Sequence, residues 1–438
     1  MLDEIRQAAT RQRQARTLRA LVQGSHKLLS ADGESGGLVL AAQLLDRLDA
    51  FDDTEIGAWF DHLARELDPD PQQVLARAQA YADKPDAATL VALTQAVEPP
   101  RQELLRRLNR APGGTKAILR LRRQLLRLLP RRPDLQAIEA DLLHLLASWF
   151  NPGFLQMRQV DWNAPAQLLE KLIVHEAVHA IDGWDDLRRR LQPDRRCFAF
   201  FHPQLPDEPL IFVEVALLPE MPPAIAPLID KGATPMAAER FRVAAFYSIS
   251  NCEPGLRGVS LGNFLIKTVA QHLQRELPRL RTFCTLSPIP GFAAWLLADP
   301  AGPDFSALNG LRKPAVDALR EAFAHLQQSQ RGELQALQHA AAWQALPAAD
   351  EAALQRLCAA YLLHHSPTPR GDPVARFHLD NGARLERINS RGNMAPKGLR
   401  QSFGLMVNYL YDLDRVEANH TRFRQGEVVR SRAAASLL

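Results

Sequence analysis

The chain has 438 residues, 46% hydrophobic and 23% charged, with a formal net charge of +4. That is an ordinary soluble globular composition, long enough for two or three cores. Mild basicity alone does not indicate nucleic acid, and no apolar run reaches the about 18 residues of a membrane span. The four cysteines, Cys197, Cys252, Cys284 and Cys358, form no C-x-x-C pair. This argues against a zinc knuckle or disulfide framework and for reduced thiols in a cytoplasmic protein. The N-terminus carries Asp3 and Glu4 without an apolar run, unlike a secretory signal, and Ser436-Leu437-Leu438 is not a peroxisomal address.

Residues 1–150 read as helix after helix. Asp52-Asp53-Thr54 can cap a helix through Ile56, Trp59, Phe60 and Leu63, and Asp70-Pro71 is a cap followed by proline at the first helical position. Lys116 to Leu129 predicts a strong helix, and Asp134 starts another that runs to Trp149. Its arginines, among them Arg106, Arg107, Arg120, Arg122, Arg123 and Arg127, interleave with leucines. That pattern predicts an amphipathic helix with a solvated basic face rather than a nucleic-acid surface. With no catalytic cluster here, this all-α domain is expected to pack and to form a homo-oligomer, dimer or tetramer.

Asn151-Pro152-Gly153 marks the boundary to a second domain, 151–438. Strands are expected at Phe154–Val160, Cys197–His202, Leu210–Leu218, Phe241–Ser250 and Thr282–Leu286, and helices over Ala164–Ile181 and Trp184–Leu191. A helical insertion covers about 300–365. Strands resume at Val374–Leu379 and Ala383–Ile388, joined by an Asn381-Gly382 hairpin turn, and the last is Leu405–Tyr411. Strand counting alone leaves this as one of several mixed α/β arrangements.

Two stretches carry chemistry on their face. His175-Glu176-Ala177-Val178-His179 is H-E-x-x-H on an expected helix, the pattern of a zinc hydrolase. The longer form fails, because Asp182 stands where glycine is needed and no third ligand is compelling. His179 therefore reads as a packed or capping histidine. The other stretch is Arg257-Gly258-Val259-Ser260-Leu261-Gly262-Asn263, between a strand and a helix start. Unpaired amides and the helix dipole there suit a phosphate. The spacing is neither the dinucleotide fingerprint nor the P-loop. It is close to the Arg/Gln-x-x-Gly-x-Gly loop of CoA-dependent N-acetyltransferases, with Ser260 at the first glycine.

The words around that loop go further. Phe246-Tyr247-Ser248-Ile249-Ser250-Asn251, Gly255 to Lys267, Leu286-Ser287-Pro288-Ile289-Pro290-Gly291-Phe292 and Phe377-His378-Leu379-Asp380-Asn381-Gly382-Ala383 resemble the malonyl-CoA decarboxylase family. The resemblance continues in order through Glu208–Leu217 and Leu405–Tyr409 and covers about the last two-thirds of the chain. It implies an acetyltransferase-like mixed sheet and a carboxy-lyase acting on malonyl-CoA, with no metal, no further cofactor, no nucleic acid and no membrane. It places a serine–histidine dyad at Ser287 and His378, serine as proton acceptor and histidine as donor, and the CoA moiety on Arg257–Asn263. Read from the residues alone, Ser287 could be a turn residue and His378 a core residue. Serine could equally orient the substrate carboxylate while His378 acts as the acid. His202, Glu214, Asn251, Asn408 and Tyr409 are secondary pocket candidates. An acyl-CoA N-acyltransferase on the same loop is the alternative, with a non-enzymatic CoA-binding or nucleic-acid-binding protein behind it.

Overall fold

A computed structural model of the chain describes residues 2–30, 34–259, 261–308, 310–368 and 371–438. The side chains of residues 2–15, 34–35 and 262–264 lie outside the described part, as do Ser260, Pro369 and Arg370. Two compact units emerge, one running to Gln156 with Phe201–Glu208 and Glu253–Ser260, the other holding the rest. No helix of the described residues is long and apolar enough to cross a membrane.

The first unit is built of α1 (Leu2–Leu29), α2 (Glu34–Asp49), α3 (Asp53–Glu66), α4 (Pro71–Asp83), α5 (Ala87–Val97), α6 (Pro100–Arg110), α7 (Gly114–Leu128) and α8 (Gln136–Trp149). Local chemistry starts several of them. Asp52 and Glu55 form a reciprocal capping box at α3, and Asp70 caps α4 ahead of Pro71. Apolar side chains at helical spacing, Ile56, Trp59, Phe60 and Leu63 on α3 and Ile118, Leu119, Leu121 and Leu125 on α7, fill the core. The hairpin α4–α5 buries no residue fully.

One expectation for this unit is corrected. Arg122 does not belong to a solvated basic face; it is 1% exposed. Its Nε and Nη2 donate to Glu139 at 3.1 and 2.7 Å, its Nη1 to the Gly255 carbonyl at 2.6 Å and Nη2 also to the Arg257 carbonyl at 2.7 Å. A guanidinium can be buried because a carboxylate and two carbonyls use its planar fork of donors. The interleaved leucines said that α7 was amphipathic. They could not say that one arginine sits on the apolar side.

The second unit is organised on a seven-stranded sheet in the order β1-β2-β3-β4-β5-β7-β6, and its elements are named here in chain order. They are β1 (Gln156–Val160), α9 (Ala166–His175), α10 (Gly183–Arg190), β2 (Arg195–Phe201), β3 (Ile211–Leu218), the turn α11 (Ala226–Ile229), β4 (Val243–Asn251), α12 (Gly262–Glu276), β5 (Thr282–Thr285) and α13 (Phe292–Leu296). Then come α14 (Lys313–Ser329) and α15 (Ala348–Ala360) of the insertion, α16 (Pro373–Asp380), β6 (Arg384–Asn389), α17 (Pro396–Ser402), β7 (Met406–Leu410), α18 (Val416–Arg424) and α19 (Arg432–Ala435). The fold class is thus the expected one, a helical N-terminal part followed by a mixed sheet carrying a helical insertion.

β2–β3, β3–β4, β5–β7 and β6–β7 pair antiparallel, whereas β4 and β5 form a parallel pair that α12 connects. That pairing ends at Phe246 and Thr285. Leu286 N–H still donates to Phe246, but Ser287 exchanges both backbone bonds with Val407 of β7, at 2.8 and 3.0 Å. The chain therefore leaves β4 for β7 at Ser287, and Tyr247–Asn251 runs on without β5 beside it. β3 and β4 are buried almost throughout, as strands covered on both faces should be.

Two further elements differ from expectation. The helix expected to carry H-E-x-x-H ends at His175, and Glu176 folds its carboxylate back onto the amides of Val178 and His179, both at 2.8 Å. The segment expected as a strand at Val374–Leu379 is α16: Asp372 caps it, Pro373 opens it, and Ala375, His378 and Leu379 share its buried face. Asn381-Gly382 is accordingly the end of a helix and not a hairpin. Gly382 has φ +76°, and a Cβ there would lie 2.1 Å from the Val416 carbonyl, so glycine is required.

Replacing Arg122 by glutamine should strip a buried carboxylate of its partner and cost about 3–5 kcal/mol. A urea titration measures it. A shift worth less than about 1 kcal/mol would place Arg122 with the surface pairs.

Candidate active site

Ser287 and His378 stand 91 positions apart in sequence, and the fold brings them together. Ser287 Oγ lies 2.9 Å from His378 Nε2, and both residues are 4% exposed. Three local devices produce this. The β5 exit turns Ser287 towards β7. Pro288 and Pro290 stiffen the segment that follows, because a proline ring fixes φ. Asp372 then joins the two halves: Oδ1 accepts from Val374 and Ala375 N–H, each at 3.0 Å, and Oδ2 accepts from Gly291 N–H at 3.0 Å. One carboxylate thereby caps the helix that carries His378 and holds the turn that carries Ser287. Gly291 must be glycine for this, since a Cβ would lie 2.2 Å from Tyr361 Oη.

The hydrogen bonds run in one direction. Ser287 Oγ–H donates to Thr285 Oγ1 at 2.8 Å. Its single proton being used there, Ser287 accepts from His378, which makes Nε2 the protonated nitrogen. His378 Nδ1 then accepts from the Tyr411 hydroxyl at 2.9 Å. Tyr409 stacks on the imidazole, centroids 4.8 Å apart and planes 28° from parallel, and Phe377 meets it edge-on at 5.1 Å. Burial pushes the His378 pKa down to about 3, so the ring is neutral, and pushes the Tyr411 and Tyr409 phenols well up.

The loop expected to hold CoA is described in part. Arg257 and Gly258 are exposed, Val259 is half-buried, and Gly258 has φ +83°. These three residues belong to the helical unit, where Arg122 holds the carbonyls of Gly255 and Arg257. Leu261 is buried and Gly262 opens α12; Ser260 and the side chains of Gly262 and Asn263 lie outside the described residues.

Of the secondary candidates, only Tyr409 touches the pair. Asn408 is fully engaged: Nδ2 donates to Thr285 and Pro222 carbonyls, and Oδ1 accepts from Arg387 and Asn389. His202 accepts the Gln204 N–H and reaches the Trp149 carbonyl. Glu214 pairs with Arg190 at 3.0 Å, although burial pushes its carboxyl up to about 7 against the pull of that arginine. Asn251 is exposed at the end of β4. Around H-E-x-x-H, Glu176 is occupied by the Ser248 and Ser250 hydroxyls at 2.7 and 3.2 Å as well as the two amides. It is a structural carboxylate within the second unit. Sequence reading missed Thr285, Asp372 and Tyr411. The Asp372-Pro373 pair was the available signal, being the same cap that marks α4.

Residues 153–438 match the model of the malonyl-CoA decarboxylase C-terminal domain, and residues 67–150 that of the malonyl-CoA decarboxylase N-terminal domain. The chain belongs to the malonyl-CoA decarboxylase family. It is 36% identical over 338 residues to the mitochondrial malonyl-CoA decarboxylase of Anser anser anser and 36% identical over 339 residues to that of Rattus norvegicus. Those matches span 74% and 75% of this chain, and 66% and 68% of the animal proteins, about two-thirds of their length. The crystal structure of malonyl-CoA decarboxylase from Rhodopseudomonas palustris is similar over 96% of this chain and 99% of that one, with 45% identity and a TM-score of 0.82. The Agrobacterium vitis structure covers 95% and 99%, at 43% and 0.81. In this family member Ser287 and His378 meet within the second unit.

A histidine kept neutral by burial has a thermodynamic signature. His378 and His179 both fall from 6.5 to about 3, chiefly by burial. Their folded pKa lies below the unfolded one, so their stabilisation is complete above pH 6.5 and declines as pH falls towards 3. At pH 5 unfolding should take up about two protons on these rings. His179→Gln should remove about one of them, visible as a shallower fall of unfolding free energy between pH 6.5 and 5. Measuring the variant against wild type separates the ring from carboxylates such as Glu214. An unchanged slope would mean His179 is protonated when folded.

Proposed function

We propose that this chain converts malonyl-CoA to acetyl-CoA and CO2 at Ser287 and His378. The observation that carries the reading is the buried contact of Ser287 Oγ with a histidine whose other nitrogen is taken by Tyr411. Family membership supplies the substrate; the residues supply what the reaction needs. The malonyl carboxylate arrives ionised. When the C–CO2 bond breaks, its electron pair enters the thioester and makes an enolate. The site must hold that bond perpendicular to the carbonyl plane, stabilise the enolate oxygen and protonate the α-carbon.

His378 is the proton donor in this reading, through Nε2–H, and solvent restores the proton. Ser287 receives the imidazole hydrogen bond at rest and orients the malonyl group in the complex. Tyr411 and Tyr409 act through His378, the first by fixing its tautomer and the second by fixing the ring plane. Arg257–Asn263 hold the CoA phosphates through their amides, with Arg122 fixing the Arg257 carbonyl and that of Gly255 just ahead of the segment. The thioester is its own electron sink, so the reaction calls for neither metal nor organic cofactor. No observation favours acyl transfer to an amine.

Acetyl-CoA formation from malonyl-CoA, with EDTA and without added amine, tests the reading. Ser287→Ala and His378→Ala should each lower kcat by about 10²–10⁴-fold, the range of a positioned acid–base group. Turnover indifferent to both would keep the reaction and remove the site; no turnover in wild type would remove the reaction. Asp372→Ala should lower kcat through geometry while leaving KM within a few-fold, because it touches neither CoA nor the malonyl group in this reading.

We further propose that the helical unit self-associates. Leu75, Leu90, Val91 and Val97 are exposed on α4–α5, more apolar surface than a hairpin of two short helices usually leaves bare. Leu75→Glu with Val91→Glu should reduce the mass measured by light scattering to that of one chain. An unchanged mass would place the contact elsewhere.

A further inference from the structure

The helical unit holds a second constellation that the decarboxylase reading does not use. His26 lies in the last turn of α1, and His62 and Glu66 lie one turn apart on α3. Each offers one ligand atom, and the three atoms fall within 4.8 Å of one another. Glu66 oxygens stand 3.2 Å from His62 Nδ1 and 3.6 Å from His26 Nε2. The two rings meet edge-on, centroids 5.6 Å apart. Ligands bound at about 2.0–2.2 Å to a tetrahedral ion sit roughly 3.3–3.5 Å apart, and the separations of 3.2 and 3.6 Å, one to each Glu66 oxygen, lie close to that.

His62 gives the independent observation. It is 6% exposed, and neither ring nitrogen has a hydrogen-bond partner. Glu66 is close to Nδ1 but out of line with it, so proximity does not become a hydrogen bond. A buried imidazole left unpaired is unfavourable. A ring nitrogen and a carboxylate that are close yet misaligned with each other can both be aimed at a common third point. The His26 and Glu66 side chains are half exposed, at 50% and 57%, which leaves a fourth position open to water.

We propose that His26, His62 and Glu66 form a site for a borderline divalent transition-metal ion, zinc in the first instance. Two imidazoles and one carboxylate with an open position are a zinc donor set. The ion would clamp the end of α1 to α3. It lies within the helical unit and takes no part in the reaction proposed above, so it stands or falls independently of that reading. It also differs from the H-E-x-x-H segment, whose glutamate is already saturated by protein donors.

The test uses the full chain stripped with EDTA and titrated with Zn2+ by calorimetry, with Co2+ as a spectroscopic probe. One Zn2+ per chain is expected, bound at least tenfold more weakly by His26→Ala and by Glu66→Gln. Both substitutions change half-exposed side chains, so folding is not at issue. The melting temperature should rise with Zn2+ in wild type and not in either variant. Co2+ should show no thiolate charge-transfer band, all four cysteines being buried. Absence of stoichiometric Zn2+ binding, binding unaffected by both variants, or binding abolished by His175→Ala instead would each overturn the proposal.

Discussion

The carboxyl group of Asp372 is the constraint on which the meeting of Ser287 and His378 depends. A cap is worth about 0.5–2 kcal/mol to a helix, which is modest. Its consequence here is positional. One oxygen satisfies the first amides of α16 and so fixes where His378 projects. The other takes the Gly291 amide and fixes the turn that begins at Ser287. Burial pushes this carboxyl upward, while the three backbone N–H donors and the Tyr361 hydroxyl pull it down. Those donors are the reason a carboxylate can sit there at all. Ser287 and His378 come from distant parts of the chain, and a single group settles their separation.

A parallel arrangement holds within the helical unit. Arg122 is buried by sharing its donors between Glu139 and the carbonyls of Gly255 and Arg257. The bidentate pair compensates the guanidinium charge. The remaining donors are spent on a loop that would otherwise have only water to satisfy its carbonyls. In both units, then, one polar side chain shared between two segments holds a loop backbone in place.

Much of this was legible in the sequence, and the misses have physical causes. Capping pairs at Asp52 and Asp70, and strands such as β3 and β4 with near-continuous apolar runs, announce themselves because local chemistry and burial agree. Val374–Leu379 did not. Its apolar positions fit a short strand as well as a short helix, and periodicity cannot separate the two over six residues. The deciding signal was outside the segment, in Asp372-Pro373. H-E-x-x-H misled in the opposite direction. Its spacing is helical, but Glu176 finds better partners in Val178, His179, Ser248 and Ser250 than in another helical turn, and tertiary contacts outweigh propensity. Arg122 was unreadable because a solvated and a buried arginine look alike in a leucine-rich helix. Ser287 and His378 were found through the words around them. Tyr411 lay two residues beyond the last of those words, and Thr285 one residue before another.

The neutral state of His378 bears on why such a pair would serve a decarboxylation. An imidazolium facing the malonyl carboxylate would attract the localised charge of the ground state more than the delocalised charge of the enolate. That difference would slow the step, since only interactions stronger in the transition state than in the ground state accelerate it. A buried ring held near pKa 3 makes no such mistake. It offers a directed N–H dipole, set by the Tyr411 hydroxyl on its far side, and the stacked Tyr409 ring covers one of its faces. In the proposed reaction the substrate loses a localised charge as CO2 leaves. The apolar surroundings that depress the histidine pKa would favour that same loss. Burial thus acts on the catalyst and on the substrate in the same sense, and one environment serves both.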